Sequence, residues 1–511
     1  MDASSRVVIN TVAQYVRTII GMVLGLYSTR LILQLLGVDD YGIYSLVGGV
    51  VSMLSFVIAA LSGSTQRYLS YYQGSKNAHD VANVFNNCVI LHIIMGTIMS
   101  VVLLCITPLL FNGFLNIAPD RLNVARFIYI IVIINLFISV NTAPYQALIT
   151  AHENIVYSSL VSVLESVIKL VLVVLLKYVP FDKLAGYGII MLIIQLFGFL
   201  SMFIFDRIKY QECKHFNFKT IDASFIKEFA SFTGWTMYNA GCNVGRTQGV
   251  AILINKFLGT AVNAAYGLAQ SVQGYVLVVS SALHNAISPQ IMKSEGGGNH
   301  NRMLWLCSIE SKMSYLLLLA VCVPIMFEIN PLLELWLGDV PEYAGLLCCM
   351  KLATILADSS TIGLSTANLA TGKLKDFSLY VYSIKLLTIP LALIGLLVKK
   401  SVLFVVFSYV IVEFVGSFVR IPFMKKNAGL VVREFIKRVY ARVIIPTLIC
   451  VATSWLVTYC LDFKFRFLVT IPIVFLLTAV ATYLWGLMPD EKEIVTSVMQ
   501  RIFRTKRNKS V

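Results

Sequence analysis

Apolar residues fill this chain in blocks too long for one face of a soluble helix. Residues 84–111 read VFNNCVILHIIMGTIMSVVLLCITPLLF, and blocks of similar character recur from residue 8 to residue 487. About 20 predominantly apolar residues cross a bilayer core as a helix. Barrel strands are about half that length and alternate in hydrophobicity, which these blocks do not. Backbone polar groups in lipid must be satisfied internally, so the spans are helices. The pattern predicts an all-α polytopic membrane protein with about fourteen spans: 8–36, 41–62, 84–111, 122–146, 155–177, 185–205, 228–257, 262–288, 304–327, 343–370, 376–398, 402–420, 443–461 and 467–487. The first block is too long for a signal peptide, contains Arg17 and Arg30, and lacks a small-residue cleavage site, so it is expected to remain as span 1.

Two stretches echo each other. RLILQLLGVDDYGIYSLVGGV begins at residue 30 and ILINKFLGTAVNAAYGLAQSV at residue 252. Each has Leu-Gly, six residues, then Tyr: Leu36, Gly37 and Tyr44 in one, Leu258, Gly259 and Tyr266 in the other. The echo continues in Leu61 to Gln66 and Leu283 to Gln290. Small residues at four-residue spacing, Gly21 and Gly25, then Gly241, Gly245 and Gly249, suit close helix packing or bending. Six spans separate the copies, so both share one orientation. The expected architecture is two pseudo-symmetric six-helix lobes about an axis along the membrane normal, with the cargo between them. The expected division is 1–206 for the first lobe, 207–227 for a cytoplasmic linker, 228–424 for the second lobe, and 425–511 for an amphipathic segment, two added spans and a basic tail.

Composition agrees and adds an orientation. The chain is 58% hydrophobic and 13% charged, against about 25% charged in a soluble domain. The net charge of +15 would suit nucleic acid, but its placement does not. Lys and Arg in the loops and at the span ends number 25 on the side holding both termini and 8 on the other. The positive-inside rule puts both termini in the cytoplasm. The excess is then a collar for anionic inner-leaflet lipid, at about 1 kcal/mol per residue. Segments 430–442 (Val431, Val432, Phe435 and Val439 against Arg433, Lys437, Arg438 and Arg442), 490–504 and 221–232 are expected as amphipathic surface helices. The ten cysteines are scattered without a Cys-x-x-Cys, and the six histidines are dispersed, so neither metal nor cofactor is expected.

Ionisable groups inside spans are functional candidates by default. Arg17 and Arg246 lie inside the first helix of each lobe with no acid three or four residues away. Facing a cleft, they would make it cationic, and the planar guanidinium fork suits phosphate. Arg30 and Arg67 would line its mouths. The amides of Asn10 and Asn239 suit sugar hydroxyls, though interhelical hydrogen bonds use the same groups. Beside this stands a plainer reading of each arginine, as half of an ion pair with an acid on another helix. Glu165, Asp358 and Glu413 are candidates for ion coupling, with Glu165 and Lys169 one turn apart and able to neutralise each other. Lys351 and Asp358 share a face two turns apart, while Glu310 and Lys312 stand near the cytoplasmic end, where long side chains snorkel.

Asn10, Arg30, Leu36-Gly37, Tyr41-Gly42, Tyr44 and Arg67 resemble the amino-terminal signature of Wzx-type polysaccharide flippases, in the multidrug/oligosaccharidyl-lipid/polysaccharide exporter superfamily. Leu258-Gly259, Asn263, Ala264, Ala265 and Tyr266 resemble the matching turn of the second lobe, and Leu335-Trp336-Leu337-Gly338 with Pro341 and Tyr343 a segment before span 10. The resemblance implies a V-shaped pair of bundles in the inner membrane. It further implies export of an undecaprenyl-diphosphate-linked oligosaccharide for O-antigen, capsule or exopolysaccharide, alongside proteins that polymerise the glycan and set its length. Moving an anion outward is favoured by about 2.3 kcal/mol per charge per 100 mV. Three alternatives stand beside it: flipping of a peptidoglycan or teichoic-acid precursor, cation-coupled multidrug antiport, and a membrane glycan polymerase or ligase. The antiporter needs an acidic site, and span 1 has no interior Asp or Glu. The enzyme needs a catalytic cluster, often on a sizeable loop, and the longest outer loop is about 328–342. A transporter rather than an enzyme is therefore expected.

Overall fold

Helices are the only regular elements among the described residues. The structure, a computed structural model, describes residues 3–52, 54–74, 78–111, 117, 119–178, 180–214, 222–337, 340–461, 463 and 465–493; some side chains within them, that of Arg30 included, lie outside the description. The chain divides into two compact units, Ile9–Met237 with Gly296–Gly298, and Met1–Val8 with Tyr238–Glu295 and Asn299–Val511. They are called the N-unit and C-unit below.

Both copies of the repeated turn have the same backbone feature. Helix α1 (Ala3–Ser52) is two arms joined at Gly37, whose φ is 79°. Helices α7 (Ala223–Leu258) and α8 (Thr260–Gly296) are joined at Gly259, whose φ is 92°. An L side chain is strained at such angles, so each turn calls for glycine. Among the described residues nine helices are long and apolar enough to cross a membrane, or ten if the bent pair α11–α12 counts as one. The four expected spans outside that set are those flanking Gly37 and Gly259. Amides and glycines dilute the apolar character of the two that flank Gly259, the expected span 41–62 divides between α1 and α2 (Ser55–Gly74), and several side chains of the expected span 8–36 lie outside the described residues.

In the N-unit, α4 (Leu122–Ala151) is central, packed by α2, α3 (Ala78–Leu109) and α6 (Lys183–Lys209), with α5 (Ile155–Leu175) against α6. Tyr145 packs edge-on against Phe85, Phe199 and Phe203, joining α3, α4 and α6. Between spans, Arg121 bridges the carboxylates of Asp40 and Asp182.

In the C-unit, α9 (His300–Phe327) is central, packed by α11 (Ala344–Ser359), α12 (Ile362–Thr371), α18 (Tyr440–Cys460) and α19 (Phe467–Ala481). The two added spans thus join this unit's core, through Leu316, Leu319 and Val323 against Val443, Cys450 and Val474. Two irregular spans shape the interior of this unit. One bends by 48° between α11 and α12. The other runs as α13 (Leu374–Phe377), a π turn at Ser378–Tyr382, α14 (Ser383–Leu386) and α15 (Thr388–Val398). Gly249 of α7 fits against this second irregularity, since a Cβ there would lie 2.6 Å from Ile389 Cδ1.

Three expectations change. The outer stretch 328–342 contains a helix, α10 (Ile329–Leu337). In segment 430–442, α17 (Val432–Arg438) turns Phe435 and Val439 into a protein core with Leu430, while Val431 is exposed. Its apolar face is thus largely filled by protein rather than offered to lipid. Glu310 and Lys312 do not snorkel, for both are fully buried. Lys312 pairs with Glu491, and Asp490 takes hydrogen bonds from Trp305 and Arg438. The acids at 490 and 491 therefore tie back to the C-unit. Of the expected 490–504 helix, Arg501 and Arg504 lie outside the described residues, as does residue 221 of segment 221–232.

Candidate functional site

The bend between α11 and α12 makes the site. Breaking a helix frees backbone carbonyls that need new donors. Arg420 of α16 (Val402–Ala428) supplies them: Nη1 donates to the Asp358 carbonyl at 3.3 Å and to Thr361 Oγ1 at 3.2 Å. Its Nη2 donates to Asp358 Oδ1 at 2.6 Å. The π turn in the neighbouring span precedes Lys385, which lies 3.1 Å from Asp358 Oδ1 and 2.8 Å from Glu413 Oε1. Glu413 Oε2 accepts from Arg246 Nη1 of α7 at 2.5 Å. Five groups therefore alternate in sign, in the order Arg246, Glu413, Lys385, Asp358, Arg420, from four spans.

A fourth base adjoins this chain. Lys351 of α11 donates to Tyr266 OH at 3.1 Å and Tyr409 OH at 3.0 Å, and stands 4.1 Å above the Tyr409 ring. Arg246 covers the same ring at 4.5 Å. Each of these four bases is at most 8% exposed. Four bases face two acids, so the cluster carries two net positive charges. Buried charges at this density persist only when paired, and each carboxylate here is held by two bases. A cavity of about 180 Å³ opens beside them, lined by Arg246, Lys385, Asp358 and Glu413, and by the polar Asn243 and Gln273. Arg246 Nε is buried with no hydrogen-bond acceptor.

Of the residues expected from sequence, Arg246, Asp358 and Glu413 come together here. Glu413 supplies the interhelical acid for Arg246, and Asp358 is not paired with Lys351 on its own helix. The others go elsewhere. Arg17 and Glu165 of α5 are near enough to feel each other's charge, and among the described residues neither Arg17 nor Lys169 forms an ion pair with that carboxylate. Glu165 lies against Gly198 of α6, where a Cβ would come within 2.0 Å of Oε1. Arg67 is 5% exposed, set against the rings of Tyr68, Tyr71 and Phe232. Asn10 donates to the Glu153 carbonyl at 2.8 Å, tying α1 to the turn after α4. Asn239 lies on α7 with its Oδ1 buried and without a donor. Arg420 stands at the cytoplasmic end of its span, where sequence does not distinguish a buried arginine from a loop one. The signal for it was its spacing from Glu413, two helical turns along one face.

The family model described as polysaccharide biosynthesis protein matches residues 5–295. No curated protein matches the chain significantly. Solved structures share the fold at low identity. A MATE transporter in complex with MaL6 is 14% identical with a TM-score of 0.71, covering 85% of this chain and 98% of that one. An outward-facing multidrug resistance MATE family transporter of the MOP superfamily is 14% identical with a TM-score of 0.72, covering 84% and 96%. A MOP superfamily transporter from Pyrococcus furiosus Vc1, described as having a binding pocket of reverse polarity, is 14% identical with a TM-score of 0.69, covering 84% and 96%. The chain is thus a multi-pass membrane protein with the fold of MOP superfamily transporters.

Proposed function

We propose that this chain, which belongs to the polysaccharide biosynthesis protein family, is a flippase that carries an undecaprenyl-diphosphate-linked oligosaccharide from the cytoplasmic to the outer leaflet of the inner membrane, for a surface polysaccharide. The observation that carries this reading is the buried excess of bases, four against two acids, beside a polar cavity in the C-unit. A diphosphate cannot enter hydrocarbon uncompensated. The positive cluster compensates it, and Arg246 offers a buried donor with no acceptor of its own. Asn243 and Gln273 offer amides to the sugar. Because Lys385 is shared between two carboxylates, an arriving phosphate can take over one of its contacts without stranding an unpaired charge. A cationic drug would meet net repulsion at the same place, so antiport of cations fits the cluster less well.

Both termini lie in the cytoplasm on the distribution of Lys and Arg, reduced on that side by the buried Arg67 and Arg420. Glycan polymerase and chain-length proteins are the natural partners, since they consume what such a protein delivers. The test is mass spectrometry of lipid-linked saccharides in cells lacking the protein. An undecaprenyl-diphosphate oligosaccharide accumulating on the inner leaflet is the expected result and names the cargo. An unchanged lipid pool, with altered resistance to cationic drugs, overturns the proposal.

A further inference from the structure

A second ionisable cluster in the C-unit is separate from the Arg246–Arg420 chain. His284 Nδ1 of α8 lies 2.6 Å from Glu310 Oε1 of α9. Thr366 Oγ1 of α12 donates to the same oxygen at 3.2 Å. Glu310 has no exposed surface, and its Oε2 is buried without a partner. The His284 side chain is 38% exposed. A sealed carboxylate is thus reached through a half-open imidazole, and three helices meet at the pair.

Among the described residues, the charged groups nearest in sequence or on α11 and α16 are engaged elsewhere. Cys307, one turn before Glu310 and fully buried, is the titratable neighbour on α9. Lys312, two residues beyond, is committed to Glu491. On α11, Lys351 and Asp358 are engaged in the other cluster, as are Glu413 and Arg420 on α16. The Glu310 carboxylate selects the imidazole tautomer with hydrogen on Nδ1, leaving the Nε2 lone pair free to take a proton. With neutral imidazole the pair carries one negative charge. With one proton added it becomes an imidazolium–carboxylate pair of net charge zero. A net charge within a membrane protein is costly, so the site has two states of very different electrostatic cost, separated by one proton.

We propose that His284 and Glu310 form a proton-binding site, filled and emptied at His284 Nε2, through which this transporter couples its cycle to proton movement. The coupling rests on the flippase reading above; the proton site itself does not. No bond forms or breaks except N–H at Nε2, and the proton goes to solvent on release. Because α8, α9 and α12 all contribute, a change in the charge of the pair bears on the packing of three helices at once.

The first test is nitrogen NMR of the full chain in lipid bilayers with labelled histidine. The chain has six histidines, and the His284 signal is the one lost in His284→Gln. In the wild type that signal is expected to interconvert between neutral and imidazolium forms with pH. Its midpoint is expected to shift by about one pH unit or more in Glu310→Gln, and by less in Thr366→Val, which removes a hydrogen bond and no charge. A His284 ring that does not titrate, or a midpoint unmoved by both substitutions, overturns the site. The second test uses proteoliposomes holding the lipid-linked saccharide extracted from cells lacking the protein. A transmembrane pH gradient is expected to change the translocation rate of the wild type and not that of His284→Gln. Equal responses overturn the coupling. If the wild type moves no such lipid, the flippase reading and the coupling that rests on it both fail, and the NMR titration alone decides the proton site.

Discussion

The two units carry the same tyrosine in the same repeated turn and use it differently. In the N-unit, Tyr44 meets Tyr187 of α6 edge to face, with ring centroids 4.8 Å apart. In the C-unit, Tyr266 meets Tyr409 of α16, the corresponding sixth span of its lobe, with centroids 6.5 Å apart. The second pair is opened by a lysine: Lys351 donates to both hydroxyls and stands over both rings. The glycines at 37 and 259 both keep positive φ, so the turn is common to the units while the interior behind it is not. One unit fills the space with an aromatic contact, the other with a charge that leads on to Arg246, Glu413, Lys385, Asp358 and Arg420. A repeat preserves backbone geometry, which the turn dictates, more readily than the chemistry of the packing, which each unit sets for itself.

The comparison breaks hardest at the acids. Glu413→Ala removes the one carboxylate between Arg246 and Lys385, and breaking a buried pair costs about 3–5 kcal/mol. Glu165→Ala in the N-unit, where the carboxylate is less enclosed, is expected to cost about 1 kcal/mol or less. Thermal unfolding of the solubilised full chain checks both. Equal losses would mean that the C-unit chain is no more tightly interlocked than the Arg17–Glu165 interaction.

Transport sharpens the same contrast. A hydrogen bond to a charged group contributes about 1.5–3 kcal/mol, so Arg246→Ala is expected to reduce export roughly tenfold to a hundredfold, while Arg67→Ala acts chiefly through lost ring packing. Surface polysaccharide measured against protein in the membrane is the readout. Normal export from Arg246→Ala removes this arginine from the cargo site. Lys351→Met separates stability from function within one residue. Replacing a buried ion by an apolar side chain of similar size is often neutral or stabilising by about 1–4 kcal/mol. The variant is therefore expected to melt no lower than the wild type and to export less. A variant that exports normally would show Lys351 to be only a spacer between two tyrosines.

Much of the fold was legible in the chain because the bilayer constrains it so strongly. Apolar length showed the helices, and the Leu-Gly echo located both positive-φ turns. The interior chemistry was partly legible. Arg246, Asp358 and Glu413 stood out as charges within apolar runs, and they do meet. Their meeting depends on a bend at Ser360–Thr361 and a π turn at Ser378–Tyr382, and neither has a proline or glycine inside it to announce it. Arg420 read as loop because the positive-inside rule and a buried pair use the same residue type at a span's end. The His284–Glu310 pair joins residues 26 apart in sequence, a distance at which no periodicity speaks. Gly37→Ala and Gly259→Ala test the legible part. Each is expected to cost about 1–2 kcal/mol from strain at positive φ, seen as similar falls in melting temperature. Unequal falls would separate the turns that the sequence makes look alike.

The smallest effect lies in the polar ties outside the spans. In the N-unit, burial works to raise the Asp182 carboxyl, but the Ala185 N–H and the Arg121 guanidinium hold it below the usual carboxylate range. In the C-unit, burial likewise opposes ionisation of Asp490, and the Trp305 and Arg438 donors outweigh it. A depressed folded-state pKa stabilises above the unfolded value, about 3.9 for aspartate. That contribution is lost as pH falls through the folded value. Both carboxylates are partly exposed, so Asp182→Asn and Asp490→Asn are each expected to cost below about 1 kcal/mol at neutral pH. The difference from wild type should hold as pH falls toward about 4 and shrink below it. Melting curves across that range check the sign. A difference that grows on acidification would mean that the carboxylates are strained rather than stabilised by their partners, and one confined to a single variant would mean that only one unit relies on such a tie.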